Sequence, residues 1–106
     1  MQPASNHPGL FCFVGQAIAS DPAPYRTGAR HALLAFTTGD DADAARDLLD
    51  EAAEAHGWQH LRILQTKPLP NGARGIESGP LRDAAETALT NGASLVVWPD
   101  ELPLDA

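Results

Sequence analysis

Between residues 40 and 56 the chain reads DDADAARDLLDEAAEAH, and the placement of its apolar side chains restricts the fold more than any other stretch. Ala45, Leu48, Leu49, Ala52 and Ala53 recur at i, i+3, i+4, i+7 and i+8, the spacing of a stripe along one side of an α-helix. Such a stripe has to be buried, so the rest of the chain must supply a second layer to receive it. Asp43, Asp47, Asp50, Glu51 and Glu54 fall on the opposite side, where they face water. Acids at the start of the helix complement its positive dipole end, and Gly57 is placed to stop it in a left-handed C′ conformation.

The flanking segments read as the receiving layer. LFCFVGQAIA, residues 10–19, is rich in aromatic and β-branched side chains and stops at Ser20, Asp21 and Pro22, which predicts a strand that Gly15 bends or bulges. Residues 20–30 hold two prolines and a glycine and predict a connecting loop. HALLAFT, residues 31–37, and WQHLRILQTK, residues 58–67, predict core strands, and residues 73–78 predict a short return strand after a turn at 68–72. A second helix begins at Pro80, capped by Ser78 or Gly79, because a helix start does not need the amide that proline lacks. Its stripe is Leu81, Ala84, Ala85, Ala88 and Leu89, Asn91 and Gly92 stop it, and a last strand over 94–98 is closed by Pro99.

Leaving out the N-terminal strand, the order is strand, helix, strand, strand, helix, strand. That is the split β-α-β arrangement of a ferredoxin-like βαββαβ fold, an α+β two-layer sandwich with an extra N-terminal strand and both helices on one sheet face. Residues 1–9, broken by Pro3 and Pro8, predict a flexible arm, and residues 10–106 a single domain. Alternation puts Phe11 and Phe13 on one face of the first strand and Cys12, Val14 and Ile18 on the other. It likewise sets Leu61 and Ile63 against Trp58, His60, Arg62 and Leu64. Apolar side chains on both faces, with helices on one, predict a homodimer through the uncovered apolar face.

Charge narrows the function classes. Seven carboxylates and one arginine in residues 40–56 carry −6 of the formal net charge of −7. An acidic surface repels phosphate backbones and anionic lipid, so direct nucleic-acid binding and membrane-surface binding by charge are disfavoured and a basic protein partner is favoured. The single Cys12 cannot close an internal disulfide, which fits a reducing cytoplasm. No apolar run approaches the roughly 20 residues that span a bilayer.

The candidate chemistry is sparse. Asp40, Asp41 and Asp43 lack the glycine and distant glutamate of an EF-hand loop and are explained as helix-start acids. His56 and His60 have the separation of helical zinc ligands, but Gly57 ends the helix between them and no glutamate stands ready as base, so no metal is assigned. Cys12 reads as a small buried hydrophobe, and no motif calls for a cofactor. Two surfaces remain. The carboxylates Asp43, Asp47, Asp50, Glu51 and Glu54 suit a non-catalytic interaction protein, an inhibitor or immunity-type binder of a basic partner. Alternatively Tyr25, Arg26, Arg30 and His31, a basic cluster in the 20–31 loop, suit a small-molecule or anion-binding domain or small enzyme. If the two arginines converge in a concavity the second reading gains; if they are splayed while the acidic helix stands clear, the first does.

Overall fold

The structure, a computed structural model, describes residues 9–21 and 23–103. Most of the expected arm, residues 1–8, lies outside the described residues. The elements run β1 (Gly9–Ala19), β2 (Arg30–Gly39), α1 (Ala42–Ala55), β3 (Trp58–Leu69), a 3₁₀ turn (Gly72–Gly75), α2 (Pro80–Asn91) and β4 (Ala93–Leu102). The four strands form one antiparallel sheet in the order β3-β1-β2-β4, so the protein is α+β with two helices.

Both helices start and stop where the local chemistry directs. Asp41 caps α1, its side chain accepting the Ala44 amide at 2.9 Å, and Gly57 follows the helix with φ of 87°. In α2, Gly79 occupies the N-cap, Pro80 the first turn, and Gly92, at φ 97°, the C-cap. The stripe of α1 buries Ala45, Leu49 and Ala53 against Phe13, Ala17, Leu33 and Ala35. Thr37 pins the first turn of α1 to β2, its buried hydroxyl donating to the Ala45 carbonyl at 2.8 Å. Gly39 permits the same approach, since a Cβ there would lie 2.5 Å from the Ala45 nitrogen.

The sheet departs from the sequence expectation in five ways. First, the N-terminal strand is not an addition to a complete sheet: β1 is central, paired to β2, which follows it after residues 20–29, and to β3 on its other side. Second, residues 73–78 form no strand. β3 runs on to Leu69 as the partner of β1, and the chain turns at Gly72 (φ 59°) into a 3₁₀ segment. The ferredoxin-like order is therefore not reproduced, although β2 and β3, both antiparallel to β1, are parallel to each other and joined by α1 across it.

Third, the helices do not share a face. Leu33 and Ala35 pack with α1, whereas Leu10 and Phe36, which alternate with them, pack with Ala85 and Ala88 of α2 and with Ala73. Fourth, β3 changes sides. Register shifts at Val14/Gly15 and at Gln16/Ile18 insert bulges in β3, the second holding His60 at φ 53°. Trp58 consequently joins Leu61 and Ile63 on the α1 side instead of opposing them. Fifth, β4 passes through Pro99 to Leu102, which an edge strand tolerates at an irregularity, here opposite His31/Leu33.

Candidate functional site

The acids of α1 stand out from the sheet as the stripe requires. Asp43, Asp47, Asp50, Glu51 and Glu54 are all exposed. Among the described residues one of the five is in an ion pair, Asp50, which accepts from Arg46 Nε at 3.1 Å one helical turn away. Both partners of that pair are well exposed, so it contributes little and leaves the face strongly negative.

Towards the end of α1 these side chains border a concavity. A cleft of about 700 Å³ is lined by Asp50, Glu51, Ala53 and Glu54 from α1, Ser20 and Asp21 from the connection after β1, and Trp58, Gln59, His60 and Leu61 from β3. Ser20 fixes that wall, its hydroxyl donating to the Gly57 carbonyl at 2.8 Å while its own amide donates to the same oxygen. Four carboxylates thus line a dent that Trp58 also borders, an arrangement that attracts a cationic side chain by Coulomb attraction. The sequence pointed to the helix acids but not to Asp21 or Trp58. Trp58 reaches this side only because of the His60 bulge, which leaves no local signature.

The basic cluster is dispersed. Arg26 lies on the surface and makes a two-pronged contact with Glu101, Nε to Oε2 at 3.0 Å and Nη2 to Oε1 at 2.6 Å. The guanidinium holds the Glu101 carboxyl below the usual carboxylate range, and the carboxylate in turn raises Arg26. Arg30, opposite Ile18 and Leu102, and His31 are consecutive in β2 and so point to opposite sheet faces. Neither arginine is among the residues lining the cleft beside α1 or the dent beside Tyr25.

Tyr25 and His31 do meet, with ring centroids 4.5 Å apart, and Trp58 completes the group at 5.8 Å from Tyr25 and 5.7 Å from His31. His31 is buried, and its Nδ1 sits 2.8 Å from the Trp98 carbonyl oxygen. A carbonyl only accepts, so Nδ1 carries a proton and donates, while Nε2 is buried with no partner among the described residues. This trio closes the loop onto the sheet; Tyr25 and Trp58 also line a neighbouring dent of about 370 Å³ with His56, Leu95 and Val97. His56 and His60 therefore border different concavities.

Cys12 is half-buried on the α2 side, where burial pushes its thiol above the ordinary value and Lys67 partly offsets the shift. Among the described residues no helix is long and apolar enough to cross a membrane. No family model matches the chain, and neither the curated proteins nor the solved structures match it at a significant level.

Proposed function

We propose that this chain is a non-catalytic interaction protein that engages a basic protein partner through the outward face of α1, in the manner of an inhibitor or immunity-type binder. The observation that carries the reading is the α1 surface: five exposed carboxylates, of which the described residues pair one. A field of one sign speeds encounter with an opposite charge and discriminates against acidic partners. The cleft lined by Asp21, Asp50, Glu51 and Glu54 supplies a place for one anchoring arginine or lysine beside Trp58.

Calorimetric titration with a nonaarginine peptide at rising salt tests it. Binding that weakens steeply with salt and is lost in the Asp47→Lys, Glu54→Lys double variant is the expected result. Absence of binding, a salt-independent affinity, or an unchanged affinity in the double variant overturns the reading.

A further inference from the structure

The last turns of α1 separate two concavities of unlike chemistry. On the side of β3 lies the acidic cleft, to which α1 contributes Asp50, Glu51 and Glu54. On the side of β4, at the opposite edge of the sheet, lies the dent of about 370 Å³, to which the end of the same helix contributes Ala55 and the C-cap His56. Glu54 and Ala55 diverge by about 100° around the helix axis, so the lining changes from carboxylate to methyl in one residue. Leu95 and Val97 of β4 line the dent together with Tyr25 of the loop after β1, and among the described residues no carboxylate does.

One wall of the dent is built in advance. Tyr25 and Trp58 pack on each other and on His31, whose ring is buried and held by Nδ1 donating to the Trp98 carbonyl at 2.8 Å. Trp58 also borders the cleft, so one buried ring joins the two concavities. A wall ordered before binding lowers the cost of ordering it on binding. β4 is an edge strand paired to β2 alone, so among the described residues no further strand closes the dent from that side.

From these positions we infer that the basic partner of α1 presents two side chains to the end of the helix, an arginine or lysine to the cleft and an aromatic ring to the dent. The inference rests on the reading of α1 as a binding face and narrows the class of partner. Three observations select this occupant. The first is charge. Any ligand of the dent meets the field of the five exposed carboxylates of α1, which draws a cationic molecule and repels an anionic one.

The second is size and lining. A dent of about 370 Å³ lies at the low end of the roughly 300–1,000 Å³ found for small-ligand pockets, room for one ring. An aromatic side chain fills apolar space with two rotatable bonds and so loses little freedom on seating, and aromatic and arginine side chains are the usual anchors of protein interfaces. The third is spacing. An α-helix is about 10 Å across, so the cation and the ring sit about 10 Å apart, which about three residues of extended chain can span. One short segment of the partner therefore serves both concavities.

Calorimetric titration with two peptides of equal charge, a triple repeat of Arg-Arg-Trp and a triple repeat of Arg-Arg-Gly, tests the inference. The expected result is salt-dependent binding of both, with the tryptophan peptide tighter by about tenfold, equivalent to about 1.4 kcal/mol. In Ala55→Gln a neutral side chain at an exposed helix position occupies the mouth of the dent, and the ratio of the two affinities falls towards one. Val97→Thr, which keeps the branched shape and sets a hydroxyl in the lining, lowers the ratio as well. Equal affinities of the two peptides for the wild-type protein overturn the inference and leave the reading of α1 standing, whereas binding of neither overturns both. A tryptophan preference that survives undiminished in Ala55→Gln means that the ring binds elsewhere and overturns its placement in the dent.

Discussion

A methyl group added at Gly15 tests whether β3 follows the bulged path that brings Trp58 beneath α1. An ideal Cβ at this position would lie 2.3 Å from the Arg62 carbonyl oxygen, 3.2 Å from its carbon and 3.3 Å from the Ile63 Cα. Carbon to oxygen contacts are comfortable at about 3.3 Å or more, so the shortfall is about 1 Å and falls on backbone, which cannot rotate away. Retreat of β1 is blocked on its other side by unbroken pairing with β2 from Gly9↔Gly39 to Ile18↔Arg30. The edge strand β3 must move instead, disturbing the register shift at Val14/Gly15. Overpacking of this kind costs about 1–3 kcal/mol, and removing a glycine's freedom in the unfolded chain returns about 0.4–1 kcal/mol. Because backbone is struck, the net is set near the upper end, about 2 kcal/mol of destabilisation. With a urea slope of about 1–2 kcal/mol/M, the midpoint of Gly15→Ala falls by about 1–2 M at a fixed protein concentration. Gly75→Ala is the control: its nearest neighbour would be Asn71 Cβ at 3.7 Å, an ordinary contact, and its midpoint stays within about 0.5 M of wild type. A Gly15→Ala midpoint at or above wild type refutes the close approach of the two strands.

Leu49, fully buried in the α1 core, loses about 2–5 kcal/mol on truncation to alanine, read as a lowered urea midpoint; a loss under about 1 kcal/mol would mean that α1 is not seated on the sheet. The Arg26 contact makes a pH prediction. Because folding lowers the Glu101 pKa, the unfolded chain binds more protons, so the pair's contribution is present above the unfolded pKa and fades as pH falls through the folded one. In Arg26→Ala the Glu101 carboxyl titrates higher by NMR and that acid-range slope of stability disappears; an unmoved Glu101 titration contradicts the contact.

What was legible in the sequence was what depends on neighbours three or four residues away. The α1 stripe, its cap at Asp41 and its stop at Gly57 follow from spacing and from the φ that only glycine adopts cheaply, and α2 follows from Pro80 and Gly92 in the same way. The sheet was less legible because strand order is a long-range property. Nothing within residues 10–19 says that they will be flanked on both sides, and ARGIES has the apolar spacing of a strand but finds β1 already paired with β2 and β3. Once β3 reaches Leu69, Gly72 turns the chain away and Ala73 is used under α2 instead. Face assignment failed where β3 slips register: the shift at Gln16/Ile18, where His60 has φ 53°, reverses Trp58 relative to Leu61 and Ile63, and the shift at Val14/Gly15 reverses the residues beyond Leu64 once more. The acidic face was therefore foreseen, whereas Trp58 and Asp21 beside it were not.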